Sequence, residues 1–510
     1  MNGRHIATFA LLVVLVIGCT RDAPLTVSTQ LIANAVIHDG SGNEPFYGAL
    51  RFDPGTGRIV DVGDLTAMAG EIVIDAKGLV LAPGFIDPHS HHDEDYDRYR
   101  HMPGVLSQGV TTIVRGVDGS SQFESVTEFI EKFGASPAAV NMASLSPHGF
   151  IRRKIMGDDY RRHATDDEIE SMAKLVEADM QAGAIGMSTG LEYEPGIYSE
   201  TGELIALSKL VAEYGGIYHS HIRDEDDLIF EAIDEIIRIG LEADLPVHVT
   251  HVKLADRFFW GMTDKLLEKL DDARRKGVTA TADIYPYERW ASNFAVLFPK
   301  RDYTDREAGR IALERAAAAE DILITHYPAN PDLVGMTVDE VAKSNGRDAI
   351  TTLLELSANA DAHRRTTSND SGIIARGMTD ADIEAFMQWP YMGIGSDGWH
   401  GDHPRGYGSF PRVLGRFVRE SGIMSLPKAI HKMTGLNADA IGIRDRGRIV
   451  GGNFADLVLF DADAIIDNAT MQYPTAMSSG VEMVWVNGKL AFANGKPTEA
   501  FAGQIVSRAE

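Results

Sequence analysis

The sequence predicts an α/β protein, a (β/α)8 TIM-type barrel with a small β-sandwich domain built from both chain ends. Three observations predict it. An apolar strand, a polar loop and an amphipathic helix recur as a unit through the middle of the chain. Short alternating strands with Gly, Asn and Asp turns mark the two ends. Nearly every strand candidate of the middle part is followed by a metal-capable or ionisable residue, which is where barrel enzymes carry their sites.

At the start of the chain, Arg4 and His5 precede an apolar run over 6–17. That run is shorter than the roughly 20 residues a bilayer core requires. It reads as a cleavable export signal over 1–18. Val16-Ile17-Gly18-Cys19 resembles a bacterial lipobox, in which Cys19 is lipidated and becomes the first mature residue. This predicts a lipid-anchored protein of the cell envelope, at the outer membrane or periplasmic face. The alternative is an uncleaved signal anchor with an incidental cysteine. Cys19 is the only cysteine, so no intrachain disulfide and no downstream thiolate ligand is possible.

Alternation over 31–75 predicts the first part of the sandwich, assigned to 19–82, and a similar texture at 447–450, 455–460 and 481–488 predicts the second, assigned to 435–510. Each piece is small for an independent core, so the two are expected to pair. The barrel is assigned to 83–434. Its strand candidates are 80–86, 111–115, 139–145, 184–187, 216–218, 246–250, 278–282 and 392–395, with helices such as 166–182, 202–214, 227–242 and 264–276 between them. An open doubly wound sheet gives similar local patterns; the polar strand ends favour the barrel. The stretch of about 288–391 is too long for one helix and is expected to be an insertion beside the mouth. A hydrophobic fraction of 44% fits one large core, and a net charge of −26 argues against nucleic acid as a partner.

The strand-end residues are His89 and His91, Asp118, His148, Glu192, His221, His251 with Lys253, Tyr285 and Asp397. Side chains alternate along extended chain, so His89 and His91 point the same way. His221 and His251 enter from adjacent strands. Imidazoles with a carboxylate suit Zn2+.

The runs PGFIDPHSH (83–91), GVTTIVRG (109–116), STGLEYEPG (188–196), SHIRDE (220–225), VTHVK (249–253), DIYPY (283–287), GSDG (395–398), HPRGYGSFPRVLGRFVRE (403–420) and KMTGLNA (432–438) resemble, in this order, the N-acyl-D-amino-acid deacylase (D-aminoacylase) branch of the amidohydrolase superfamily. The resemblance implies one or two zinc ions per chain. His221, His251 and a bridging residue hold the tighter metal, and His89, His91 and Asp397 surround a second position. The family commonly bridges with cysteine in GNCG; here Gly116-Val117-Asp118-Gly119 puts Asp118 in its place, a harder ligand. The stretch 187–196 has no lysine to be carboxylated, and Glu192 is the reserve bridge. Asp397 is the implied general base and then acid towards the departing amine.

The substrate implied is a small N-acyl amino acid, of D configuration. Lys253, Tyr285 and Arg405 match positions that hold its carboxylate. The serine that often completes this grip aligns with Ala291, and Ser292 stands next to it. Arg289 is a candidate for an acidic substrate side chain, and Trp290 and Phe294 are either pocket wall or core. Two rival readings stay open: a cyclic amide, dipeptide or other carboxylated amide as substrate, and an inactive ligand-binding envelope lipoprotein.

Overall fold

The computed structural model describes residues 29–367 and 370–508; the expected export signal and Cys19 lie outside the described residues. Apolar alternation near the N-terminus builds an antiparallel set. Gln30–Ile37 pairs with Phe46–Asp53, which pairs with Arg58–Gly63. Val80–Pro83 lies parallel to Gln30–Ile37 and antiparallel to Leu457–Phe460. Val481–Val486, Lys489–Ala493 and Lys496–Pro497 continue the order. The two chain ends thus join in one continuous nine-stranded sheet where the sequence suggests a sandwich of two. A bridge from Arg58 to Phe454, beside Leu457–Phe460, brings the far edge back towards the middle. The sheet's own core includes Ile32, Leu50, Phe52, Ile59, Leu457 and Trp485.

The stretch 80–86 is not one barrel strand. Val80–Pro83 belongs to the nine-stranded sheet, and Phe85–Asp87 opens the parallel layer. Gly84 is the joint. A Cβ there would collide with the buried Thr111 side chain, and Pro83 has no N–H to extend a ladder.

The parallel layer has two arcs. Phe85–Asp87, Val110–Arg115 and Asn141–Ser144 form the first. Gly186–Gly190, Ile217–His221, Val247–Val249, Ala280–Ile284 and Met392–Ile394 form the second. On one side Ile185 N–H donates to the Ser144 carbonyl at 2.9 Å. On the other, Asp397 N–H donates to the His89 carbonyl at 2.9 Å, and Ser90 bridges to Gly398.

Helices follow most strands. Asp166–Ala182 begins in a capping box between Thr165 and Glu168 and stops at Gly183 with φ 110°, the left-handed conformation glycine tolerates. Ile229–Ala243 buries Ile229, Ile233, Ile236 and Gly240 at helical spacing. No helix among the described residues is long and apolar enough to cross a membrane.

Two segments serve more than one layer. Within 435–510, Gly435–Ile441 is a helix at the parallel layer, where the Asn437 amide donates to the Ile86 and Ile394 carbonyls at 2.7 and 2.8 Å. Ile505–Val506 pairs with Asn141–Ser144. Buried strand-end carbonyls need donors, and these segments supply them. Within 288–391, Arg289–Ser292, Leu323–His326 and Gly372–Arg376 form a separate antiparallel sheet. Asp380–Gln388 instead packs on Thr263–Arg275 and Met392–Ile394 as a helix of the main layer.

Candidate functional site

The C-terminal ends of the parallel strands bring six of the expected groups within ligand distance. His89 Nε2 lies 3.3 Å from Asp118 Oδ2 and 3.5 Å from Asp397 Oδ1. His91 Nε2 lies 3.2 Å and 3.4 Å from the same two oxygens. On the other flank of Asp118, its Oδ1 stands 3.7 Å from His251 Nε2, and His251 Nε2 is 3.0 Å from His221 Nδ1. Two metal-capable groups result, His89–His91–Asp118–Asp397 and Asp118–His221–His251, and Asp118 belongs to both. Glu192 sits at the far nitrogen of His221, 3.2 Å from Nε2, so it flanks the pair without lying between the groups.

The donor set fits a metal. Both ring nitrogens of His89 and Asp118 Oδ1 are buried without a hydrogen-bond partner. Leaving such atoms unsatisfied costs about 1–3 kcal/mol each, a cost that coordination removes. Four imidazoles and two carboxylates at tight spacing are ligands for zinc or a similar borderline ion.

The backbone is held for this purpose. Asp118, His251 and Asp397 have φ of 52°, 34° and 47°, the left-handed region that non-glycine residues avoid. Hydrogen bonds sustain two of these. His251 N–H donates to Asp283 Oδ1 at 3.0 Å, and Asp397 N–H is tied to His89 as described. Asp283 also takes His248 Nε2 at 2.8 Å, and Asp87 accepts the Ser396 N–H at 2.9 Å. A buried polar layer therefore fixes the strand ends from below.

Next to the metal-capable groups stand the expected substrate residues. Arg405 Nη1 pairs with Asp397 Oδ2 at 2.7 Å. Its guanidinium lies 4.7 Å from the Tyr285 ring centroid and 5.0 Å from that of Trp399. Burial opposes ionisation of Asp397, yet Arg405 and the surrounding histidines hold its carboxyl well below the usual range. Burial pushes the Tyr285 phenol up to about 12, so it stays protonated, and its buried hydroxyl has no partner. Ser292 and Ala291 both line the recess, and Ser292 Oγ donates to Tyr193 Oη at 3.3 Å.

Three expectations change. Lys253 is not a free cation: its ammonium donates to both oxygens of Glu225, at 2.5 and 2.6 Å. His148 turns away from the cluster into the helix His148–Met156 and contacts Glu203 at 2.8 Å. Arg289 is occupied by Asp321, 3.2 Å away in the inserted segment, so it does not serve a substrate side chain. Trp290 lines the recess, whereas Phe294 stacks edge-on against Tyr327 in the core.

Glu225 is the main residue that sequence reasoning missed. Besides Lys253 it contacts His251 Nδ1 at 3.1 Å, orienting that imidazole. It ends the SHIRDE run, so a carboxylate four residues beyond the strand-end His221 was in view. The buried His219, stacked between His89 and His248 at 5.6 and 4.9 Å, was also legible as the first histidine of YHSH (218–221), a second HxH pair.

Imidazoles and carboxylates gathered at parallel strand ends define the class of metal-dependent hydrolases. The sequence profile described as amidohydrolase family matches residues 72–391 and 379–492. The D-aminoacylase of Alcaligenes xylosoxydans xylosoxydans is 34% identical over 505 residues, covering 94% of this chain and 97% of that one. A solved D-aminoacylase, studied for its binuclear metal centre with one-metal activation and second-metal attenuation, superposes with a TM-score of 0.84 at 31% identity, over 94% of this chain and 99% of its own. The N-acyl-D-glutamate deacylase of Bordetella bronchiseptica, solved with zinc and a phosphonate mimic of the tetrahedral intermediate, gives 0.83 at 31%, over the same shares. The chain belongs to the amidohydrolase family, in its D-aminoacylase branch.

Proposed function

We propose that this protein is a zinc-dependent amidohydrolase that cleaves the acyl amide of N-acyl-D-amino acids, releasing a carboxylic acid and a free amino acid. The observation that carries the reading is Asp118, shared between His89–His91 and His221–His251 with Asp397 alongside. Zinc held by these residues supplies Lewis acidity, which acidifies water and polarises an acyl oxygen.

The chain's own groups do the rest. Asp397 is ionised, buried and adjacent to both histidine pairs, so its carboxylate takes a proton from the attacking water and returns it to the departing nitrogen. Arg405 fixes that carboxylate through Oδ2 and keeps its Nε without an acceptor. Together with the unpartnered Tyr285 hydroxyl it offers donors to the substrate α-carboxylate. Lys253 contributes to this end as one half of its pair with Glu225.

The reading takes the two parallel arcs as one (β/α)8 barrel over 83–434, supported by the hydrogen bonds linking them on both sides. The two-ended sheet is then its companion domain. It also takes 1–18 as an export signal and Cys19 as the site of a lipid anchor in the cell envelope, supported by the residue pattern alone. Metabolic labelling with a fatty acid, abolished by Cys19→Ser, tests the anchor.

The activity is tested with purified, zinc-loaded protein and a panel of N-acetyl-D- and L-amino acids, scored by acetate release. Turnover of D substrates, lost on chelation and restored by zinc, is the expected result. Hydrolysis of hydantoins or dipeptides with no linear N-acyl-D-amino acid among the substrates would overturn it.

A further inference from the structure

The metal-capable groups stand between two spaces of very different size. On one side is the inner recess, which reaches His221, His251, Lys253 and Arg405 and has a free volume of about 30 Å³. That is room for little more than a water molecule, so the recess takes a carboxylate and nothing longer. On the other side, an open cleft of about 1060 Å³ reaches His91 and Asp118. Tyr193, Ala291, Ser292, Asp397 and Arg405 line both spaces and mark the boundary.

The strand positions give the substrate a direction. Lys253, Tyr285 and Arg405, which face the α-carboxylate, follow Val247–Val249, Ala280–Ile284 and Met392–Ile394, the late strands of the second arc. The cleft extends instead over the loops of earlier strands. Ser120 and Ser121 follow Val110–Arg115, Phe150 follows Asn141–Ser144, and Pro195 follows Gly186–Gly190. A substrate with its carboxylate at Arg405 and its amide beside Asp118 therefore sends the acyl arm over Phe150 and Pro195. Clefts of about 300–1,000 Å³ enclose drug-sized ligands, and an acetyl group would leave most of this one to water.

The polar groups at this end of the cleft are engaged with the protein. Ser120 Oγ donates to the Val117 carbonyl at 3.2 Å, and Ser121 Oγ to the Phe123 carbonyl at 2.9 Å. Glu194 is held by Tyr160 and Tyr198, at 2.6 and 2.9 Å, and the Arg153 guanidinium lies 4.3 Å from the Tyr160 ring centroid. Phe150 is only half-buried, and its ring meets no other aromatic ring among the described residues. We propose that the acyl group of the substrate is a medium-length hydrocarbon chain, such as octanoyl, which lies along the cleft over Phe150 and Pro195. Burial of its methylenes is the recognition energy. The inference rests on the deacylase reading above and names the acyl half of its substrate class.

The test holds the amino acid constant and varies the acyl arm. It compares kcat/KM for N-acetyl-, N-butanoyl-, N-octanoyl- and N-(glycylglycyl)-D-leucine with zinc-loaded wild type and Phe150→Glu. A fully buried methylene is worth about fourfold, and in an open cleft less, so octanoyl is expected to exceed acetyl by about 10- to 100-fold. Phe150→Glu places a charge on the path of the chain and should lower the octanoyl-to-acetyl ratio by about 10-fold. Acetyl equal to or better than octanoyl overturns the proposal. So does a glycylglycyl arm that outperforms octanoyl, or a ratio untouched by Phe150→Glu. The wild-type series decides by itself if the variant does not fold. If no N-acyl-D-leucine is cleaved, calorimetry reads the cleft without turnover. Octanoyl bound more tightly than acetyl then removes the deacylase reading and leaves the acyl assignment standing, whereas equal binding overturns both.

Discussion

Asp118 Oδ1 faces His251 Nε2 across 3.7 Å, and both residues hold a left-handed backbone, at φ 52° and 34°. Two strand ends from the two different arcs of the parallel layer are thus each bent into an unfavourable conformation to aim one carboxylate and one imidazole at the same point. Strain of this kind costs about 1–3 kcal/mol per residue and persists where the surroundings over-determine it.

The first prediction follows from that pair. Asp118→Asn keeps the side-chain shape and removes the charge shared by the two metal-capable groups. Zinc per chain, measured by plasma emission on dialysed protein, is expected to fall, and kcat/KM to drop by about 100-fold or more. Wild-type zinc content and rate in the variant would show that Asp118 is not a ligand.

Glu225 and Lys253 give a stability test. Burial works against both charges, but each holds the other ionised: Glu225 well below the carboxylate range, Lys253 well above the usual amine value. Glu225→Ala strands a buried ammonium, at a cost of about 3–5 kcal/mol. A marked fall in Tm is expected, and adding Lys253→Met should recover part of it. Additive losses in the double variant would mean that the two do not act as a pair.

Gly84 joins the nine-stranded sheet to the parallel layer at a place where the Thr111 side chain leaves no room for a Cβ. Gly84→Ala should lower stability by about 1–3 kcal/mol through overpacking. The readout is the thermal midpoint with zinc content unchanged. An unaltered midpoint would show that the joint yields.

His38, buried near the end of Gln30–Ile37, has its imidazole lowered to about 4, chiefly by burial, with Asp39 pulling the other way. The unfolded chain therefore takes up a proton near the ordinary value of about 6.5 while the folded chain does not. Its contribution to stability is complete above about 6.5 and is lost as pH falls towards 4. Thermal midpoints measured between pH 4 and 7 should decline less steeply in His38→Leu than in wild type. Parallel curves for the two proteins would refute this.

How much of this was readable before folding depends on what each feature requires. Local chemistry travels with the sequence. The capping box of Thr165 and Glu168, the repeated strand–helix unit and the HxH pair at 89–91 each lie within a few residues, so pattern alone locates them. Elements whose identity depends on a partner were less legible. The run 80–86 is uniformly apolar, and nothing local says that its two halves serve different sheets until Thr111 closes on Gly84. Lys253 reads as a free cation in VTHVK because Glu225, its counter-ion, arrives from the preceding strand's loop.

The sequence by itself determined the α/β class, the list of ligand-capable side chains and their strand-end positions, since periodicity and residue chemistry are carried by near neighbours. Only the tertiary structure decided which of those groups meet, that Asp118 stands between two histidine pairs, and that Glu225 takes up the Lys253 ammonium. Coordination and charge compensation depend on distances of a few ångströms between residues far apart in the chain, and those distances exist only once the strands are packed side by side.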